Sequence, residues 1–270
     1  MATTPNGRTN DGPPRIEAID RAMQILEVLA KAGADGTSLS ELSEVTKISK
    51  PTAYRALATM RARGFVSQSK GGEYRLGPHA LGLTESYFSK DNLQRALHPV
   101  LLELSRRTAE LVHLGAWDGP EVVYLDKVEP TSRAIRVWSA VGQRVPAASS
   151  ALGRALLSAG HETPDDLRYF IESLPADRHV SHERLVEAIE EARATGFSGE
   201  FEENEPGVAC MGFPLMRGDR AVAAISITSV SERMTPERRR DLQKLVRTQL
   251  PRLLPEGIAL FKPTGSPADA

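Results

Sequence analysis

Between Ile16 and Ala30 the apolar residues Ile19, Ala22, Met23, Leu26, Val28, Leu29 and Ala30 recur mostly at three- and four-residue intervals, which predicts a helix with one buried face. Gly33 and Gly36 end it. Ser38 and Glu41 form a capping-box signature, in which each side chain satisfies a backbone N–H left open at a helix start, so a second helix follows over Leu39–Val45. After Thr46 to Ile48, Ser49 is placed to cap a third helix, Lys50–Arg63, with Pro51 in its first turn and Gly64 at its end. Along that helix Ala53, Ala56, Leu57 and Met60 share a packing face, while Lys50, Thr52, Tyr54, Arg55 and Thr59 point away from it. Phe65–Gln68 and Glu73–Leu76 then read as two short strands around the glycine-containing turn Ser69–Gly72. Three helices and a hairpin make a winged helix-turn-helix.

Beyond Gly77 and Pro78 a helical pattern runs to Thr108, with Leu93, Leu97, Val100, Leu101 and Leu104 in one stripe and Pro99 expected to kink or restart it. Such a stripe can pack on its own chain or against a second copy. The period then changes to that of strands at Leu111–Trp117, Val122–Val128, Ala134–Trp138, Gly196–Glu202, Ala209–Leu215 and Ala221–Thr228. Helices are expected at Ala151–Ser158, Pro164–Ser173, His182–Thr195 and from Pro236 to about Leu250. A sheet with helices segregated around it is an α+β domain. The resulting organisation is a tail over 1–14, a winged helix-turn-helix over 15–77, a linker helix region over 78–108, a second domain over 109–256 and a tail over 257–270.

Charge sharpens the first half. The 34 Lys and Arg against 35 Asp and Glu leave a formal net charge of −1, so any nucleic-acid surface must be local. It is local: Lys47, Lys50, Arg55, Arg61, Arg63, Lys70 and Arg75 face only one acid, Glu73, in the same stretch. A charge run alone is usually a solvated face. Here it falls on a helix of the shape that fits the major groove of DNA, where each base pair shows a distinct donor and acceptor pattern. Lys50 and Arg55 can donate to guanine edges or phosphate, Thr52 and Tyr54 to base or backbone, and Lys70 and Arg75 on the wing to phosphate. A two-fold dimer could read two half-sites of a palindrome.

Composition excludes other classes. With 40% hydrophobic and 26% charged residues the chain can fold, and its single cysteine, Cys210, permits no intrachain disulfide and suits a reducing compartment. The 1–14 segment lacks the apolar core of a secretory signal, and the apolar run Ala221–Ile227 is too short to span a bilayer. A soluble, cytoplasmic protein with no membrane partner is the expectation. No nucleophile elbow, H-E-x-x-H, phosphate loop or complete dinucleotide glycine pattern occurs, so no catalytic residue or cofactor is assigned. Ser149 and Ser150 before a helix read as a cap rather than a nucleophile, and His179 and His182 lack a convincing third metal ligand. A ligand pocket fits better: the helix start near Ser149 offers backbone N–H groups and a positive dipole end to a carboxylate. Ser226 and Thr228 face one side of a single strand, either as part of such a pocket or as a solvent-facing polar row.

The runs IEAIDRAMQILEVLA, SLSELSEVTKISKPTAYRALATMRARGFV and GGEYRLGPHALGL, followed by VVYLDKVE, VGQRVPAASSALGRALL, FEENEPGVACMGFPL and AAISITS, resemble the IclR family of bacterial transcriptional regulators. The resemblance implies an N-terminal winged helix, a linker helix and a C-terminal effector domain similar to GAF/PAS folds, in a dimer or tetramer that represses or activates transcription. It implies that Ala151, Leu152, Glu200, Val208, Cys210, Ser226 and Thr228, with Val137 and Val145 as apolar walls, surround a small organic acid. Two departures stand out: the loop between Cys210 and Ser226 is one residue shorter than in many relatives, and Glu200 stands where the family more often has Asp. The runs ELVHLGAWDGPEVVYLDKVEP, VGQRVPAASSALGRA and ENEPGVACMGFPL look like the subgroup that regulates pectin and sugar-acid breakdown, whose effector is a keto-deoxy sugar acid. Aromatic and glyoxylate-like acids stay open, as does activation instead of repression. The competing readings are a small-acid enzyme carrying the winged helix as an interaction module, and a ligand-free architectural DNA binder.

Overall fold

The computed structural model of the chain describes residues 16–83, 93–130 and 139–263. It divides into two compact units, 1–91 and 92–270; the expected 1–14 tail and the strand Ala134–Trp138 lie outside the described residues.

In the first unit α1 (Glu17–Ala32), α2 (Leu39–Thr46) and α3 (Lys50–Ala62) precede a hairpin of β1 (Val66–Gln68) and β2 (Tyr74–Leu76), then a single turn, α4 (His79–Gly82). The capping box of α2 is complete: Glu41 N donates to Ser38 Oγ at 3.2 Å and Ser38 N to Glu41 Oε2 at 2.9 Å. Ser49 does begin α3, but its hydroxyl turns to Thr52 Oγ1 at 3.0 Å and caps no backbone N–H. Ile25 and Leu29 of α1, Leu42 of α2, Ala53, Leu57 and Met60 of α3 and Val66 and Tyr74 of the hairpin form one core. Burying each large apolar side chain contributes about 1.5–3 kcal/mol relative to leaving it in water, and here that fixes which face of α3 points outward.

The second unit is α+β, as expected. Its antiparallel sheet has the strand order β5–β4–β3–β8–β7–β6, with β3 (Leu111–Asp118), β4 (Glu121–Val128), β5 (Arg144–Pro146), β6 (Ser198–Phe201), β7 (Val208–Arg217) and β8 (Arg220–Val230). A two-residue strand, β9 (Ala259–Leu260), pairs with Leu215 and Met216 of β7, so the sheet reaches into residues expected to be tail. The helices are α5 (Leu93–Thr108), α6 (Ala151–Ser158), α7 (Leu167–Glu172), α8 (His182–Thr195) and α9 (Pro236–Gln249). α7 is shorter than the sequence suggests, because Thr163 and Asp166 close a hydrogen-bonded turn before it at 2.7–2.8 Å. The stripe of α5 packs on its own chain: Leu97, Val100, Leu101 and Leu104 join Leu242 and Val246 of α9 against the odd-numbered residues of β7 and β8. Pro99 neither breaks nor restarts α5; it sits on the exposed side, where the carbonyl it leaves without a donor can reach water.

The other face of the sheet is covered by α6 and α8, through Leu152, Ala155, Leu156, Leu185 and Ile189. Two glycines set how close α6 comes. A Cβ at Gly212 of β7 would lie 2.4 Å from the Ala151 carbonyl oxygen, and one at Gly153 would lie 2.2 Å from the Ala147 Cα. The first turn of α6 therefore rests directly on the sheet, above the even-numbered residues of β7 and β8.

Candidate nucleic-acid interface and ligand cavity

On the first unit, burial of Ala53, Leu57 and Met60 leaves Lys50, Tyr54 and Arg55 exposed along α3. No acidic residue lies in this helix, so its outward face carries only positive and neutral groups. Thr52 differs from the other four residues expected to reach outward: it is half-buried, and its hydroxyl accepts from Ser49. Lys70 at the hairpin turn and Arg75 on β2, opposite Ser67, are both exposed.

On the second unit the register assembles a polar patch beneath α6. Glu200 pairs with Cys210, Cys210 with Thr228, and Ser226 with both Gly212 and His113, so these side chains share one face of four adjacent strands. Ser226 and Thr228 are buried, which removes the alternative of a solvent-facing row. With Ala151, Leu152 and Val208 they line a cavity of about 20 Å³, room for little more than one water-sized sphere. Seven of the nine positions assigned from sequence are thus brought together. Val145 lines a neighbouring cleft instead, and Val137 lies outside the described residues.

Of the two serines expected to cap α6, Ser150 does so. Ser150 Oγ accepts from Gly153 N at 3.1 Å, whereas Ser149 Oγ is buried without a partner. Ala151 and Leu152, whose amides no bond within the helix can satisfy, line the cavity. Facing them, Glu200 Oε1 accepts from Glu203 N at 2.7 Å and Asn204 N at 2.9 Å, so its longer side chain stays in the pocket and takes up space there. Burial pushes the Glu200 carboxyl above the usual carboxylate range, against the opposing pull of the Asn204 amide, the Cys210 thiol and the Glu203 amide.

Several lining residues escaped the sequence reading. His113 contributes a ring whose Nε2 lies 2.8 Å from Ser139 Oγ and whose Nδ1 lies 3.4 Å from Thr228 Oγ1. Burial, aided by the charge of Lys127, lowers His113 to about 3. Tyr124 stacks on it at 4.7 Å, and burial pushes its phenol upward, as it does the Cys210 thiol. At neutral pH the floor is therefore built of uncharged hydroxyl, thiol and imidazole groups, with Glu200 and Glu205 as the ionisable acids on the wall. Arg154 lies just outside the cavity, fully buried, and holds the wall through Ala148 O and Gly199 O at 2.9 Å each and through the Glu203 carboxylate. Its buried, paired guanidinium leaves no sequence signal apart from an arginine within an otherwise small and apolar helix. His182, one of the two histidines weighed as metal ligands, instead has Nε2 2.6 Å from the Pro164 carbonyl.

Among the described residues no helix is long and apolar enough to cross a membrane. The family model for the bacterial transcriptional regulator IclR C-terminal region matches residues 85–250, and that for the IclR helix-turn-helix domain matches residues 18–70. The HTH-type transcriptional regulator XynR of Escherichia coli K12 is 29% identical over 263 residues, covering 94% of this chain and all of the relative. The HTH-type transcriptional regulator KdgR of the same strain is 29% identical over 250 residues, covering 90% of this chain and 93% of KdgR. The crystal structure of the Thermotoga maritima IclR superposes with a TM-score of 0.70 at 27% identity, covering 86% of this chain and 95% of that one.

Proposed function

Because the chain belongs to the IclR family of bacterial transcriptional regulators, we propose that it represses a catabolic operon as a homodimer or tetramer on a palindromic operator and is released by a small organic acid, a keto-deoxy sugar acid in the first instance. Its relatives are regulators of transcription and not enzymes, so the alternative of a small-acid enzyme falls away. The observation that carries the DNA reading is the outward face of α3, where Lys50, Tyr54 and Arg55 are exposed with no acid among them. Arg55 is the base reader in this account and Lys70 and Arg75 the phosphate contacts.

The effector reading is supported by the N–H groups of Ala151 and Leu152, poised for a carboxylate, and by the buried hydroxyls of Ser226 and Thr228. Repression relieved by the acid is the first reading and activation the alternative, and in both the acid acts by disturbing the balance between two arrangements of the chain. For that disturbance to regulate, the acid must bind the two arrangements with different affinity. Ile16, the N-cap residue of α1, and Ile19 and Met23 on it are each more than half exposed, which supports an apolar edge covered by a second copy. Selection of genomic fragments on the full chain tests the proposal: recovered fragments should share a palindrome upstream of catabolic genes, and an unrelated set of fragments would refute it.

A further inference from the structure

Tyr124, Asn204 and Glu205 each border two spaces: the small inner cavity and, on their other side, a cleft of about 370 Å³. The geometry points to an outer ligand subsite in that cleft, which takes the hydroxylated tail of a sugar acid whose carboxylate head occupies the inner cavity. This rests on the effector reading above and adds where the rest of the ligand lies.

Size is the first argument. The inner cavity of about 20 Å³ cannot hold a six-carbon acid, and small-molecule sites commonly span about 300–1,000 Å³. The outer cleft falls in that range, and Tyr124, Asn204 and Glu205 line both spaces. Chemistry is the second. Gln143, Arg144, Asp177 and Arg178 offer the cleft both donors and acceptors, which matches hydroxyl groups that each donate and accept. Glu121, Asp177 and Glu205 balance the two arginines, so the cleft holds no excess of positive charge that would select a second anion. Among the described residues that line it Tyr124 is the one aromatic, a poor platform for an aromatic acid.

The partition itself is held from behind. Glu200 grips the amides of Glu203 and Asn204, and Arg178 donates to the Glu203 carbonyl at 3.4 Å. The Asn204 and Glu205 side chains are half-buried at the surface of this wall, so they are the ones that must turn aside for a ligand to span cavity and cleft.

Calorimetric titration of the full chain with 2-keto-3-deoxygluconate and with pyruvate, which shares its keto-acid head and lacks the tail, tests the subsite. Asp177→Trp, at an exposed rim position, fills the cleft, and Gln143→Ala removes one hydroxyl partner. The sugar acid should bind the unsubstituted protein about tenfold or more tightly than pyruvate. Asp177→Trp should erase that margin, Gln143→Ala should narrow it, and pyruvate affinity should stay the same. A margin untouched by both substitutions, or equal weakening of both acids, overturns the outer subsite while leaving the effector reading intact. Failure of both acids to bind the unsubstituted protein overturns the sugar-acid reading of the effector and the subsite with it.

Discussion

Arg154 and Glu203 meet behind the cavity wall, Nη1 to Oε1 at 3.0 Å, with no part of the arginine side chain exposed to solvent. The pair ties the loop after β6 to the helix that covers the sheet, so the wall of the cavity and the domain core are one structure. Arg184 approaches the same carboxylate at 3.6 Å from α8, but it is half-exposed and adds little.

Glu203→Gln should destabilise the second unit by about 3 kcal/mol, since it strands a buried guanidinium whose remaining partners are carbonyl oxygens. The double substitution Arg154→Met with Glu203→Gln should recover much of that loss, because no buried charge is left without a partner. Urea unfolding at constant slope measures both.

Glu200 links stability to pH. Its carboxyl is raised by burial, so the folded chain holds this proton more tightly than the unfolded chain. The contribution is complete below the ordinary glutamate range, near 4.5, and is lost as pH rises through the higher folded value. Glu200→Gln keeps an oxygen for the Glu203 and Asn204 amides and abolishes the titration. Its stability relative to the unsubstituted protein should therefore rise between pH 4 and pH 7, as read by denaturant midpoints; a constant difference would contradict the buried, raised carboxyl.

His113 shifts in the opposite direction. With its folded value near 3 and the usual unfolded value of 6.5, it stabilises the fold above 6.5 and loses that contribution as pH falls toward 3. Its imidazole carbon resonances should not titrate between pH 7 and pH 5. A shift centred near 6.5 would place water or a ligand-sized opening beside the ring.

On the first unit, Arg55→Ala should weaken operator binding by about 1–3 kcal/mol if Arg55 reads a base, with the unfolding of the second unit unchanged. Lys70→Ala should weaken all sequences alike and reduce the salt slope of binding by about 1 if it serves a phosphate. Anisotropy titrations at several salt concentrations separate the two roles.

Much of this was legible in the sequence because local rules decided it. The Ser38–Glu41 box and the apolar face of α3 depend on spacing alone, and the structure reproduces both. The pairing of Ser226 and Thr228 on one strand face follows from a period of two, although their burial depends on α6, about seventy residues earlier in the chain. His113, Tyr124 and Arg154 were not legible. Their roles arise from cross-strand neighbours and from a close helix–sheet approach at Gly212, neither of which leaves a local pattern. Either Ser149 or Ser150 satisfies the composition rule for the cap of α6, so spacing leaves the pair together, and the fold gives the bond to Ser150. The short strands β5 and β9, three and two residues long, are made by pairing with neighbours and carry too few positions to show alternation.

The most direct measurement is fluorescence anisotropy of a selected genomic palindrome with the full chain, titrated against 2-keto-3-deoxygluconate. The account predicts tight binding without the acid, saturable release with it, and loss of that release in Ser226→Ala while DNA binding persists. Equal affinity for the palindrome and a scrambled duplex, unchanged by this acid or by aromatic and glyoxylate-like acids, would contradict it.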